Sequence, residues 1–202
     1  LDPIVEDGYH YTKGNRLLHR DIACMPTYRY FGNSVLTILT KFATGCYRIM
    51  DPQCGYTAMA KTALERIPIE EMTPGYGYPA EILCMLNIMG FRVKDAEVRP
   101  IYDRETSTIK LWHFIPKTSW ILTRLFIRRL WRRYVVRDFH PLILFYLFAF
   151  ATAAFVVLPF TVRFFYIRHY WNYWPNTTLQ ILIFSILITF QSILFAIWMD
   201  MD

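Results

Sequence analysis

The alternation of apolar and polar positions divides this chain into three stretches of different character. Over residues 1–117 the two kinds interchange at the spacings of short helices and strands, and over 118–138 arginines alternate with large apolar residues. Over 139–202 charge almost vanishes: there is no Asp, Glu, Lys or Arg in 141–162, and none in 179–199. As a helix rising 1.5 Å per residue, either run covers about 30 Å, the thickness of a bilayer's hydrocarbon, so the pattern predicts two transmembrane helices at about 141–162 and 179–199. The link between them, 163–178, carries Tyr166, Tyr170, Trp171, Tyr173 and Trp174. Amphipathic rings of this kind suit a headgroup layer.

Within the first stretch, Asn33 is placed to cap a helix over 35–47, along which Leu36, Leu39, Lys41 and Phe42 follow the turns. A second short helix is predicted over 57–66, stopped by Pro68. A third runs over 79–89, with Pro79 in its first turn, Glu81 at its positive end and Gly90 closing it. Residues 91–102 read as a strand and 103–110 as a polar loop. Helices alternating with short strands predict an α/β layer fold. So few strands do not complete a doubly wound sheet, and the remaining strands are expected to precede Leu1. A chain that starts on Leu rather than Met and ends just after an apolar run fits the same expectation of a fragment.

Over 118–138 a helical wheel puts Trp120, Ile127, Leu130, Trp131 and Tyr134 on one face and arginines over most of the rest. That is the pattern of a helix lying in a membrane interface, rings down and guanidinium groups toward phosphates. Its competitor is an ordinary helix packed on the domain with a solvated basic side. Arg124, Arg128, Arg129, Arg132, Arg133 and Arg137 supply most of the net charge of +6. Beside an apolar run they point to anionic lipid or a phosphate-bearing substrate rather than nucleic acid. Only Arg163 and Arg168 are positive in the link, so the positive-inside bias puts the soluble part and both ends in the cytoplasm. The sequon Asn176-Thr177-Thr178 then lies almost at the membrane surface and reads as chance. No small-xxx-small stripe in the apolar runs is clear enough to predict oligomers.

Composition agrees: 54% of the 202 residues are hydrophobic and 18% aromatic, with the apolar excess concentrated in the last third. The four cysteines, Cys24, Cys46, Cys54 and Cys84, lack metal-ligand spacing and read as buried reduced thiols.

No P-loop, dinucleotide fingerprint, nucleophile elbow or zinc site is present. The first 55 residues instead gather groups that handle phosphate. Lys13-Gly14-Asn15-Arg16 sets a glycine, an amide and a guanidinium side by side, and Arg29 with Gly32-Asn33-Ser34 repeats that chemistry, Ser34 being expected near a helix start. The planar fork of arginine fits phosphate oxygens, and a helix start offers backbone N–H groups. In Asp51-Pro52-Gln53-Cys54-Gly55-Tyr56, Pro52 and Gly55 bracket a tight turn that would fix the Asp51 carboxylate and the Gln53 amide; a capped turn opening the next helix explains it equally well. Glu6-Asp7 and Glu70-Glu71 read as solvated charge.

In their order, Lys13-Gly14-Asn15-Arg16, Met25-Pro26 with Arg29, Gly32-Asn33 and Asp51-Pro52-Gln53 with Gly55-Tyr56 resemble family 2 glycosyltransferases, in particular the polyprenyl-phosphate sugar synthases of the dolichol-phosphate mannose synthase type. The segment 76–81, the strand at 93–100 and the loop holding Arg104, Ser107 and Lys110 follow in the same order. The likeness covers about residues 4–115, and the basic helix and membrane hairpin extend it.

The resemblance implies three segments: the C-terminal, acceptor-side part of a GT-A domain over 1–117, an interface helix over 118–138 and a transmembrane hairpin over 139–202. It implies inverting transfer of a sugar, mannose or glucose, from a nucleotide donor to a polyprenyl phosphate. Arg16 and Arg29 would hold the acceptor phosphate with Lys13, Asn33 and Ser34 in support. Asp51 would sit beside the reacting centre, Gln53 and Gly55 would shape its turn, and Arg104 and Lys110 would lie on a mobile loop near the phosphates. That loop departs from the family where relatives show a glycine and a serine before the lysine; this chain has Ser107 and Ile109. A divalent cation, Mg or Mn, is implied as well, with its Asp-x-Asp ligands expected upstream of Leu1. Two other readings compete: a processive polysaccharide synthase, whose Gln-x-x-Arg-Trp motif is missing here, and a non-enzymatic module anchored to anionic lipid.

Overall fold

The computed structural model describes residues 1–17, 27–72, 75, 77–99, 111–137 and 140–201, and for 27–29, 71 and 111–113 the backbone alone. Two compact units emerge, Leu1–Arg133 and Tyr134–Asp202. The fold is mostly helical, with one small mixed sheet where an α/β layer was expected.

In the first unit the sheet has β1 (Tyr11–Asn15) at its centre, β2 (Thr57–Met59) antiparallel on one side and β3 (Val93–Glu97) parallel on the other. All five residues of β1 are buried. Short helices α1 (Asp2–Val5) and α3 (Lys61–Leu64) flank the strands, and α2 (Thr27–Thr44), α4 (Tyr78–Met89) and α5 (Leu111–Trp131) complete the unit. The helix expected over 57–66 is therefore strand at Thr57–Met59 and helix only at Lys61–Leu64. Its first residues pair with β1, Met59 opposite Tyr11 and Thr57 opposite Lys13, because β1 needs a partner on that edge and a short run has no periodicity strong enough to refuse. The helix expected over 35–47 starts eight residues earlier, at Thr27, and passes through Gly32 and Asn33 without a break. Asn33 is thus not a cap. Tertiary packing along α2 outweighs the cost of about 1 kcal/mol that an interior glycine adds.

Tyr11, Ile49, Ile67, Ile82, Leu83 and Leu86 form the main core, and Ala43, Ala80, Cys84, Leu122 and Leu125 a second one where α2, α4 and α5 meet. α4 is buried along seven consecutive residues, Ala80 to Leu86, as befits a helix apolar on every side. It begins one residue before Pro79 and ends at Gly90, as predicted. In α2 the usual arrangement is inverted. Thr37, Thr40 and Thr44 face the interior, while Phe31, Val35, Ile38 and Leu39 are exposed. The buried hydroxyls are met locally: Thr44 Oγ1 donates to the Thr40 carbonyl at 2.8 Å.

α5 is longer at its start than predicted, and a π-helical turn, Arg132–Arg137, follows it. Trp120, Ile127 and Trp131 do form an exposed apolar stripe, but Leu122, Leu125 and Arg129 form a second face, packed inward. The π turn shifts the phase of the residues after Trp131, so Tyr134 leaves the stripe the regular wheel put it on. Three of the six clustered arginines point into the protein. Arg128 Nη1 reaches Glu81 Oε1 at 3.3 Å, Arg129 Nη2 donates to the Phe42 carbonyl at 3.0 Å, and Arg133 Nη1 donates to Asn87 Oδ1. Arg124, Arg132 and Arg137 are exposed. Gly45, left-handed at φ 71°, lies directly against the Arg129 guanidinium and leaves no room for a side chain.

The second unit is a helical hairpin. α6 (Leu142–Thr152), a π turn (Ala153–Val157) and α7 (Leu158–Trp171) form one continuous helix of 30 residues, and α8 (Asn176–Met201) returns with 26. Both are long and apolar enough to cross a bilayer. The first outruns its predicted end at 162, because nothing between Arg163 and Trp171 breaks a helix. Asn172 makes the turn at φ 46°, a left-handed conformation asparagine tolerates. α6 packs on α8 with the Phe145 and Phe195 rings 5.8 Å apart. The small residues Ser185, Ser192 and Ala196 are buried along α8 and let the helices approach, a stripe the sequence left unclear. At the open end Tyr134 Oη donates to the buried Asp200 carboxylate at 2.6 Å.

Gly45→Ala should lower stability by about 1–3 kcal/mol, since the new Cβ adds a left-handed strain to a collision with Arg129. Gly55→Ala, with open space around it, should change the melting temperature of the detergent-solubilised chain by far less.

A candidate anion site at the end of the central strand

β1 changes character along its length. Tyr11 faces the apolar core; Lys13 and Asn15, two and four residues on, share its side of the strand but stand among polar partners. Gly14 comes between them because its position is crowded: a Cβ there would sit 3.0 Å from Cys54 Sγ and from Tyr56 Cβ, and 3.1 Å from Val98 Cγ2.

Just past the strand, Arg16 forms a two-pronged ion pair with Asp51. Its Nε donates to Oδ2 at 2.7 Å and its Nη2 to Oδ1 at 3.1 Å, with the Arg16 backbone N–H 3.4 Å from the same carboxylate. The Asp51 side chain retains 3% of its surface and that of Arg16 28%, so the pair presents its guanidinium side to solvent. Parallel bonds of this kind fix the plane of the fork as well as its position. The turn beginning at Asp51 is fixed in turn from β3. Asp95 Oδ2 accepts the Met50 N–H at 2.7 Å and Asn15 Nδ2 at 2.8 Å, while Asn15 Oδ1 accepts the Leu17 N–H at 2.9 Å. Burial raises the Asp95 pKa above the usual carboxylate range, opposed by those two donors.

Lys13 lies directly opposite Asp95 across the parallel pair, yet its Nζ, fully buried, has no hydrogen-bond partner among the described residues, and neither has Asp95 Oδ1. Burial pulls the Lys13 pKa down from 10.5 to about 8. An enclosed ammonium group can act on an anion at Arg16 through its field, not by touching it.

The structure thus brings Lys13, Arg16 and Asp51 together, with Gln53 on the adjoining turn, where its Nε2 is 3.4 Å from Thr40 Oγ1, and Gly55 exposed beside it. Asn33 and Ser34 lie inside α2 rather than at its start; Ser34 Oγ donates back to the Tyr30 carbonyl at 2.8 Å. The Arg29 side chain, Arg104 and Lys110 lie outside the described residues, as do Met25, Pro26, Tyr76 and Ser107. Asp95 is the participant that the sequence motifs do not include. One signal was available: an aspartate at the middle of an otherwise plausible short strand.

Both oxygens of Asp51 serve Arg16, and among the described residues no group of three or more His, Cys, Asp or Glu is placed to hold a metal ion. The residues present therefore do not fit the divalent cation that the resemblance implies. Cys46 and Cys84, half-buried and buried, have thiols pushed up to about 12 and about 11 by burial, so they stay protonated at neutral pH. No family model, curated protein or solved structure matches this chain.

Lys13→Met should stabilise the protein by about 1–3 kcal/mol at pH 7, where both folded and unfolded chains carry the charge and the folded one bears its burial. Between pH 8 and 10.5 the unfolded chain holds a proton on Lys13 that the folded one has released, so this group's contribution to stability rises with pH. The advantage of the variant should shrink across that window. Melting curves of both proteins taken from pH 7 to 10 would read it as a difference, which cancels the opposite trend of the two thiols.

Proposed function

We infer that this chain is the acceptor-side portion of a membrane-anchored, inverting glycosyltransferase of GT-A type, which moves a sugar from a nucleotide donor to a polyprenyl phosphate. The observation that carries the reading is the Arg16 fork, held by the buried Asp51 at the end of a central strand, in a chain that continues into two helices able to cross a bilayer. The order of motifs that resembles the polyprenyl-phosphate sugar synthases supports it. Mannose or glucose is the sugar, the soluble unit is cytoplasmic, and the exposed Trp120, Ile127 and Trp131 rest on the lipid surface beside the exposed arginines.

In the reaction, an oxygen of the lipid phosphate bonds to the anomeric carbon as the bond from that carbon to the nucleoside diphosphate breaks, its electron pair leaving with the diphosphate. The second pKa of a phosphate monoester is near ~6, so at pH 7 the attacking group is already mostly a dianion. It needs placing rather than deprotonating. Arg16, joined by Arg29, holds the oxygens without exchanging protons. Asp51 acts through Arg16 by fixing its plane, and Lys13 adds positive potential from below. A divalent cation, if held by residues outside the described ones, would supply positive charge to the diphosphate; none of these steps depends on it.

The test uses the protein with any segment encoded ahead of Leu1, in detergent, given short-chain polyprenyl phosphate and a panel of nucleotide sugars. Transfer from one of them is expected. Arg16→Lys, which keeps the charge but loses the fork, should reduce turnover about a hundredfold, and Asp51→Asn should do so less severely. Absence of transfer from every donor, with lipid binding intact, would overturn the reading in favour of a non-enzymatic anchored module.

A further inference from the structure

The hairpin has a built site at its closed end, remote in sequence from everything above. Where α7 turns into α8 lies a cavity of about 610 Å3, lined by Arg163, Trp171, Tyr173, Asn176, Thr177 and Thr178. Its lining brings together several donors and no carboxylate. At the start of α8 the Asn176 N–H donates to the Trp174 carbonyl at 3.0 Å and that of Leu179 to the Pro175 carbonyl at 2.9 Å, whereas the N–H groups of Thr177 and Thr178 find no backbone acceptor outside the helix. Thr178 is only 6% exposed, lines the cavity, and its hydroxyl makes no hydrogen bond among the described residues. The positive end of a 26-residue helix points the same way.

Arg163 adds a full charge. From 140 to 199 the sequence contains no aspartate or glutamate, so no carboxylate is at hand to neutralise it. Its neighbour Arg168 is differently placed: it donates to Asn172 Oδ1 at 3.0 Å and stacks over the Trp174 ring at 4.7 Å. A guanidinium, two backbone N–H groups and a buried hydroxyl around one space suit a tetrahedral anion with several oxygens. Along the helix, Arg163 stands about 32 Å from Leu142, the height at which hydrocarbon gives way to headgroups.

We propose that this cavity binds a phosphate group at the membrane surface nearest the hairpin turn, the headgroup phosphate of an anionic lipid or a free phosphate ion. The Trp171 and Tyr173 rings wall the space against which a lipid's stem lies, and the apolar flanks of α7 and α8 take its chains. The site is at the opposite end of the hairpin from Tyr134 and shares no residue with the Arg16–Asp51 pair, so its occupancy is tested separately from sugar transfer.

The test titrates the intact chain in maltoside micelles, which contain no phosphate, with dioctanoyl phosphatidic acid, reading retained lipid by native mass spectrometry. A second arm adds inorganic phosphate as competitor. Arg163→Gln should weaken lipid binding about tenfold or more and Thr178→Val about threefold, while Arg168→Gln stays within about twofold. Helical circular dichroism confirms that the variants fold. Competition by millimolar inorganic phosphate would identify a free phosphate site, and lack of it a headgroup site. Retention of phosphatidic acid by Arg163→Gln and Thr178→Val at the wild-type level would overturn the proposal, and would leave the transferase reading standing, since no step here depends on transfer.

Discussion

Guanidinium groups turned inward hold the first unit together. Arg129, fully buried, reaches across to the Phe42 carbonyl near the end of α2; Arg128 pairs with Glu81 on α4, and Arg133 with Asn87 in the last turn of that helix. These contacts and the Leu122–Leu125 surface lock α5 onto two other helices. Burying such charges is costly unless their donors are met, so the geometry on the receiving side is narrowly determined. Gly45 is part of that determination, since the guanidinium occupies the place of a side chain. The basic segment is thus a structural fastening on one side and an exposed charged surface on the other, carried by Arg124, Arg132 and Arg137.

A second set of polar contacts governs the end of β1. Asp95 receives both the Met50 N–H and the Asn15 amide, which sets the chain entering Asp51, and Asp51 in turn sets Arg16. The Asn15–Asp95 and Arg16–Asp51 links are partly buried, where a hydrogen bond is stronger than in water and where loss of one partner strands the other, while the Met50 link is exposed. Lys13 is the member for which this arrangement makes no provision. Its position opposite Asp95 is imposed by strand register, and the Asp95 oxygen that is bonded, Oδ2, serves Asn15 and Met50 instead.

How much of this could be read from residue order depends on the range of the interactions involved. The two long apolar helices and the α4 boundaries were legible because local signals set them: uninterrupted apolar runs, a proline near a helix start, a glycine just past its end. β2 was not legible, since three residues join a sheet only when β1 offers an edge. Nor was the early start of α2, where packing overrode Gly32 and Asn33. The motif around Asp51 marked the right turn but not the residue that secures it, for Asp95 is 44 positions away and looks unremarkable in its own strand. In the basic helix, Leu122, Leu125 and Arg129 pack inward while Trp120, Ile127 and Trp131 are exposed. A wheel sorts residues by angle and cannot say which arginines find a carbonyl or carboxylate across a gap.

The inverted α2 has a practical consequence. With threonines turned in and Phe31, Val35, Ile38 and Leu39 turned out, the unit displays greasy surface that owes nothing to the hairpin. Cutting away residues 134–202 would therefore not yield a well-behaved aqueous protein; the severed domain would still cling to detergent, to lipid or to its own copies.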